Sequence, residues 1–320
     1  RGLGDVYKRQ VLGKPMKEPQ DVPFEKEGQY LKSDNRSNIS YFLEHNVLLR
    51  RFTLSVGVLA NYNSALNEGI HFYPGIDASY RIGDNVRLYG SWNRALRMPT
   101  FTDLYYEGKT NKGNPDLKPE ESEAFEVGLK YNTYFLRAHI AGFYRKGKNM
   151  IDWVKEKPED IWESQNLTKV DNLGFETNLS LLPRELGNER FFIRKIELGY
   201  AFIHQDKDSE GYISNYALDY LKHKFTAQLS HSIWKGFSAT WYVRWQDRAG
   251  SYTKYENLKP AYEEPYAPYC LVDMKVNWEY QRLNLYAELN NLLNSTYYDL
   301  GNIPQPGIWF KAGFRYSFKY

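Results

Sequence analysis

Cysteine is almost missing from this chain, and so is any long apolar run. Cys270 is the single cysteine in 320 residues. No disulfide can form within the chain, and no Cys-based metal pattern exists. Cys270 reads as a small apolar residue in a strand. No stretch of roughly 20 apolar residues occurs, which excludes a helical membrane span. Excess charge of one sign is absent too. Lys and Arg number 42 against 39 Asp and Glu, interspersed, for a net charge of +3. That distribution leaves no electrostatic footprint for nucleic acid. The histidines, His45, His71, His139, His204, His223 and His231, show no pair with metal-site spacing. Nucleophile motifs, phosphate loops and carboxylate pairs at defined spacing are also lacking. No catalytic residue, metal or cofactor is therefore implied. The amino terminus has neither a start methionine nor a signal peptide. Residues 1–10, Arg1 to Gln10, resemble translated sequencing-adaptor read-through. The expectation is that they are an artefact, that residues 11–320 are the protein, and that its true beginning is missing.

What the chain does have is aromatic rings and alternation. Aromatics make up 17% of residues, with 28 Tyr and 8 Trp, and hydrophobic residues make up 42%. Yet the mean hydropathy is −0.67. A transmembrane β-barrel reconciles these values. Only every second residue faces lipid, a polar lumen and loops supply the rest, and aromatic girdles mark the interfaces.

Period-two alternation runs through most of the sequence. At the end of the chain, Ile308, Phe310, Ala312, Phe314, Tyr316, Phe318 and Tyr320 share one face. Trp309, Lys311, Gly313, Arg315, Ser317 and Lys319 share the other. Trp241 and Val243 alternate in the same way with Thr240, Tyr242 and Arg244. Many alternating segments last about ten residues, which suits a tilted membrane strand better than an ordinary globular one. About 13 strands are predicted: 35–45, 47–61, 74–82, 85–94, 121–132, 135–154, 166–182, 190–207, 215–233, 236–249, 267–280, 282–292 and 306–320. No helical periodicity competes with them.

The connections alternate as well. Gly83–Asn85, Asn132–Tyr134, Lys235–Gly236 and Gln281–Arg282 read as tight turns. Long polar and aromatic loops lie near 62–73, 95–120, 155–165, 208–214, 250–266 and 293–305. Pro183–Glu189 is the one longer connection on the short side. Short turns at one end and long loops at the other are the asymmetry of outer-membrane barrels, with the long loops outside the cell. Residues 11–34 then fall in an extracellular loop.

Several segments carry a family resemblance. Ser91–Tyr106 (SWNRALRMPTFTDLYY), Gly113–Ser122 (GNPDLKPEES) and Phe125–Tyr131 (FEVGLKY) follow one another. Asn166–Glu176 follows, then Asn290–Asn294 with Tyr297, then Pro304–Gly307. In this order they resemble the barrel of TonB-dependent outer-membrane receptors, of the vitamin B12 and siderophore type. The resemblance implies an all-β, transmembrane antiparallel barrel, this chain supplying about 13 carboxyl-terminal strands of a 22-stranded barrel with a plugged lumen. The plug would lie in a missing amino-terminal part. The implied activity is TonB-energised uptake of a bulky, scarce nutrient such as cobalamin or a ferric siderophore. Implied partners are outer-membrane lipid, the plug, the TonB complex, the barrel-assembly machinery and the small-molecule ligand. Tyr320 would be the terminal aromatic that the assembly machinery reads. Two alternatives remain open at this point: a passive porin-like barrel and a soluble all-β binding protein.

The motif residues Arg97, Pro99, Leu104, Asn114, Pro115, Leu117, Pro119 and Glu120 read as structural. Pro115 and Pro119 fix φ and push Asn114 and Lys118 toward extended backbone, stiffening the loop before re-entry into the sheet. Inward-facing Arg87, Glu126, Lys130, Arg244, Glu288, Lys311 and Arg315 read as lumen charges, partly paired with one another. Among the loop aromatics, Tyr105, Tyr106, Tyr255 and Tyr262 are the candidates for ligand contact; the plainer reading of any one of them is an interfacial belt residue.

Overall fold

The computed structural model describes residues 29–30, 36–64, 69–157, 159–187, 191–208, 211–214, 220–256, 259–300 and 303–318. One antiparallel sheet of 17 strands dominates it. Four of these are two-residue bridges at the loop end: Gln29–Tyr30, Tyr106–Glu107, Asn111–Lys112 and Ile213–Ser214. The other thirteen form the wall: β1 (Asn38–Leu48), β2 (Phe52–Asn63), β3 (Ile70–Ile82), β4 (Val86–Arg97), β5 (Glu120–Asn132), β6 (Leu136–Lys155), β7 (Trp162–Leu181), β8 (Ile193–Asp208), β9 (Leu221–Trp234), β10 (Phe237–Arg248), β11 (Tyr269–Tyr280), β12 (Leu283–Asn290) and β13 (Trp309–Tyr316). Each wall strand pairs antiparallel with the next in sequence, from β1 to β13 without a crossover. This is the all-β antiparallel arrangement expected from the alternation.

Register converts alternation into two faces. Val56, Ile76, Trp92, Phe125, Tyr144 and Leu173 stand side by side across six strands. One residue away along the strands, Asn46, Ser55, Asp77, Ser91 and Glu126 form a polar row on the opposite face. Apolar side chains of the first face are exposed, Leu173 at 56% and Phe314 at 73%. So continuous an apolar surface needs a non-aqueous cover. The inward face is wired with polar contacts. Glu288 takes Lys275 at 2.7 Å and Lys311 at 3.2 Å. The Tyr89 hydroxyl donates to Glu126 at 2.8 Å, with the Lys130 ammonium 4.7 Å over the Tyr89 ring. Among the described residues there is no layered interior, and a single cluster of buried apolar residues, Val154, Leu167 and Val170 with Met150 and Tyr212 against it, sits where β6 and β7 rise toward the loop end.

The turns explain the hairpins. Lys235 and Gly236 both have positive φ, +21° and +84°, as a two-residue hairpin of this twist requires. A Cβ at Gly236 would also collide with the Glu279 carbonyl. Several expected boundaries move. β3 begins at Ile70, not 74, because Pro74 is tolerated inside the strand. It pairs with Val58 on one side, and the ladder to β4 stops at Gly75, so its missing N–H costs no rung there. The β6–β7 ribbon runs 20 residues per strand, and β7 starts at Trp162 rather than 166. The loops expected at 250–266 and 293–305 contain small hairpins of their own. A five-residue helix, α1 (Phe101–Tyr105), and a 3-10 turn at Pro183–Leu186 appear where no helical period was legible. Both are too short to show one. The terminal aromatic Tyr320, and all of the expected loop 11–34 except Gln29–Tyr30, lie outside the described residues.

The two faces should respond differently to charge. Val243 lies midway along β10 on the apolar face, so Val243→Arg should cost about 2–4 kcal/mol; Phe314→Arg, close to the short-turn end, should cost about 1 kcal/mol or less. Thr240→Arg, on the polar face, should carry no lipid penalty. Gly313 is not an equivalent control, because a Cβ there would stand 2.5 Å from the Tyr286 hydroxyl. Urea titration of the folded barrel in lipid measures these costs; equal losses at Val243 and Thr240 would reverse the assignment.

Candidate ligand-capture platform at the loop end

The loop between β4 and β5 is tied down by its own polar residues. Thr100 and Asp103 cap α1 reciprocally: the Thr100 hydroxyl accepts from the Asp103 N–H at 3.1 Å, and the Asp103 carboxylate from the Thr100 N–H at 2.9 Å. Arg97 forks onto Glu120 through two hydrogen bonds of 2.6 Å and stands 3.9 Å from Asp103. Glu120 is buried and also accepts the Ile151 N–H at 2.8 Å, which locks β6 to the loop. A paired, multiply hydrogen-bonded carboxylate is what makes such burial tolerable. The Pro99 carbonyl accepts from Arg36 at 2.8 Å. Asn114 donates its N–H to the Asp103 carbonyl, while its side-chain oxygen accepts from Asp116. Beyond it, the Asn166 side chain clasps the backbone of Lys118 from both sides, at 2.8 and 2.9 Å. Leu117 is buried, and the rings of Pro115 and Pro119 stand on either side of it in sequence. Gly113 permits a close approach: a Cβ there would lie 2.8 Å from the backbone of Leu104 and Tyr105.

The short strands extend this knot into a sheet. Tyr106–Glu107 pairs with Gln29–Tyr30, and Glu107 with Lys112. Asn111–Lys112 runs parallel to Trp162–Glu163, and Ile213–Ser214 pairs with Val154–Lys155. The Ser214 hydroxyl donates to buried Asp152. Tyr105 stacks on Phe101 at 6.2 Å, and Tyr106 meets Trp153 edge-on at 6.5 Å. The Lys155 ammonium lies 4.5 Å from the Trp162 ring. A cleft of about 320 Å³ opens beside them, lined by Lys155, Asp160, Glu163, Gln165 and Tyr212. Tyr105 and Tyr106 thus belong to a braced aromatic platform rather than to an extended loop.

Tyr262 is elsewhere. The hairpins Ser251–Pro265 and Tyr298–Pro304 form two sheets separate from the wall. Buried Tyr252 joins them, stacked on Tyr298 at 5.4 Å and tilted on Tyr266 at 5.1 Å. Lys254 bridges to Glu264 at 3.3 Å and lies over the rings of Tyr252 and Tyr298. The Glu264 hydrogen bond holds the Lys254 ammonium above the usual lysine range. Burial raises the Tyr252 hydroxyl. Tyr262 is exposed on this hairpin, while the Tyr255 side chain lies outside the described residues. The sequence candidates therefore divide between two structures. Asp103 and Asp152 were not singled out from sequence. Only Asp103 had a local signal, the Thr-x-x-Asp spacing of a capping box. Among the described residues, no group of three or more His, Cys, Asp or Glu could hold a metal ion.

The family described as "TonB dependent receptor-like, beta-barrel" matches residues 7–292. The chain belongs to this family. The TonB-dependent receptor barrel is similar to the vitamin B12 transporter BtuB of Vibrio vulnificus, with 25% identity over 191 residues, covering 54% of this chain and 30% of that protein. It is similar to the ferrienterobactin receptor of Escherichia coli K12, with 22% identity over 297 residues, covering 84% and 38%. Among solved structures it resembles the siderophore receptor PirA from Pseudomonas aeruginosa, with a TM-score of 0.66, 16% identity, and 90% and 48% coverage. It also resembles the FrpB iron transporter from Neisseria meningitidis, with a TM-score of 0.68, 16% identity, and 90% and 46% coverage. The chain spans about a third of the length of the curated relatives it matches. Those relatives are receptors and transporters of Gram-negative bacteria, and this receptor barrel is an outer-membrane protein like them.

The Arg97–Glu120 knot generates a local prediction. Glu120→Gln keeps the shape but removes the charge that Arg97 and the Ile151 amide both use. The β6–β7 ribbon should loosen locally by about 1–2 kcal/mol, read as roughly tenfold faster hydrogen exchange at the Ile151 amide. Unchanged exchange at Ile151 would show that the knot does not hold the ribbon.

Proposed function

We propose that this chain forms wall and outer mouth of a receptor that captures a bulky, scarce nutrient and admits it with energy delivered through TonB. Cobalamin and ferric siderophores are the ligand classes favoured by the relatives, which include vitamin B12 transporters and ferrienterobactin receptors. The observation that carries the reading is the aromatic platform braced above a polar inner wall, on a sheet whose other face is apolar. Such a platform offers ring surface to a large ligand, and a transport role rather than a catalytic one is supported by the family and by its transporter relatives. The inner wall has charged side chains to receive a plug domain. The far edges of β1 and β13, which pair with nothing among the described residues, would be met by further strands of the same receptor, because an open edge is not tolerated in lipid. Tyr320 would serve as the aromatic read by the barrel-assembly machinery. Tyr105 and Tyr106 are the favoured ligand contacts, with Tyr255 and Tyr262 on the second hairpin. Arg97, Pro99, Leu104, Asn114, Pro115, Leu117, Pro119 and Glu120 hold the platform in shape.

A plugged lumen gives no open path, so movement of ligand needs work done from outside the barrel. This chain carries no nucleotide loop to supply it. The complete receptor should bind ligand without energy and import it only with TonB and a proton gradient. Uptake of labelled cobalamin and of ferric siderophores, in cells with and without TonB, is the measurement. Equal import without TonB would indicate a passive pore. Tyr105→Ala and Tyr106→Ala should each weaken capture by about 0.5–2 kcal/mol in an equilibrium binding assay; unchanged affinity returns both rings to a purely structural role.

A further inference from the structure

One inward row of the wall carries positive charge and no carboxylate. Arg81 stands opposite Arg87, Arg87 opposite Lys130, and Lys130 opposite His139. The row continues through Asn178, Gly199 and Thr226 to Arg244. Arg137 projects from β6 two residues nearer the short turns. Like charges directly opposite one another across strands are destabilising, so this row costs stability in the wall that holds it. Among the described residues, the side chains of Arg81, Arg87, Arg137 and Arg244 form no hydrogen bond or ion pair. Lys130 has only its ring contact with Tyr89, at 4.7 Å.

Lys130, Arg137, His139 and Arg244 line a hollow of about 670 Å³ over β5 to β10. Two carboxylates share it, and both have partners. Glu197 is held by Lys195 at 2.8 Å, and Asp273 accepts the Asn291 N–H at 2.7 Å. The next carboxylates lie outside it. Glu176 is one row nearer the loops, 3.8 Å from His139, and shares that row with Lys224. Glu126, engaged by Tyr89, and Asp77 are one row further, and Asp84 lies out in the β3–β4 turn. The floor is neutral and flat. Gly199 has no side chain, and Thr226 and Asn178 close over its place: a Cβ there would lie 2.7 and 2.9 Å from their oxygens. Lys130 and Arg244 hold opposite sides, five strand spacings or roughly 24 Å apart along the wall. Such a hollow is too wide to clamp one small ion from all sides. It suits a bulky molecule with negative groups on its surface.

We propose that this hollow is a transit site for an anionic cargo, which the inner wall takes up after the cargo leaves the outer mouth. The proposal rests on reading the chain as the wall of an importer, and it chooses between the two ligand classes left open there. A tris-catecholate iron(III) complex carries net negative charge, whereas cyanocobalamin is neutral overall. The charge of this wall complements the first. Guanidinium groups present several donors at once to paired oxygens, which suits catecholate and carboxylate alike. Charge of one sign along a confined path raises the local concentration of its opposite. The hollow stands nearer the short turns than the aromatic platform does, so it acts on passage rather than on capture.

Capture and import can be separated in cells producing the complete receptor, with ferric enterobactin and cyanocobalamin as probes. The double variant Arg137→Gln/Arg244→Gln should capture ferric enterobactin with unchanged affinity but import it about tenfold more slowly in the presence of TonB. Arg137→Lys/Arg244→Lys should restore most of the rate. Equal import by the Gln variant and the native receptor would overturn the proposal, as would TonB-driven import of cyanocobalamin in preference to the iron complex. Slow import accompanied by a TonB-independent leak of vancomycin would also overturn it, because the arginines would then be holding the plug in place. If neither probe enters, the importer reading fails, and the site is tested by itself. The purified complete receptor, in neutral detergent, should bind citrate in a calorimetric titration, and the Gln variant should bind it about tenfold more weakly. No citrate binding, or equal binding by the two proteins, would overturn the site whatever the receptor carries.

Discussion

In hydrocarbon a backbone has no water to bond with, so each N–H and C=O needs a partner inside the protein. This constraint organises everything else in the chain. It accounts for a meander in which each wall strand pairs with its sequence neighbours. Short turns return the chain before it leaves the sheet, and Lys235–Gly236 shows the cost: two successive residues of positive φ, one of them a position where no side chain fits. It also accounts for Pro74, which sits where one of its two ladders has ended.

Once pairing is settled, the period of two distributes chemistry. The apolar rows outside and the polar rows inside are the same strands read one residue apart. Inside, charges are managed in small sets: Glu288 serves two lysines, and Tyr89 connects Glu126 with His139. Such contacts stiffen the wall without making a hydrophobic interior. Tyr rings lying over Gly128 and Gly313 add local packing on that inner face. A wall one strand thick therefore derives its rigidity from ladders and cross-strand pairs rather than from a core.

Above the membrane the rules change, because water returns and loops regain freedom. The structure restrains them by burying polar knots. Arg97, Glu120, Asp103 and Asn166 replace ladder bonds with charge-assisted and side-chain-to-backbone bonds. These knots let an aromatic platform stand on the rim of the barrel. The hairpins around Tyr252 form a second unit, held by ring stacking and Lys254 rather than by backbone pairing to the wall. Loops joined by strands and loops joined by stacked rings meet a ligand with different freedom to move.

The sequence by itself determined the fold class, the thirteen wall strands, the face each alternating side chain takes and the end at which long loops gather. Those properties follow from a period of two and from turn chemistry, both local. It also pointed to the motif from Arg97 to Glu120 as structural. Tertiary structure alone decided which carboxylate answers which cation. That choice depends on register between strands far apart in sequence, as for Glu120 with the Ile151 amide or Lys169 with Asp206. It separated Tyr106 from Tyr262, which look alike as loop tyrosines but stand on different supports. It extended β7 to Trp162, through a polar segment with no alternation to mark it. And it gave Glu288 two lysines and Asp171 a tyrosine and a lysine, because a carboxylate has room for several donors and only the folded register decides which of them reach it.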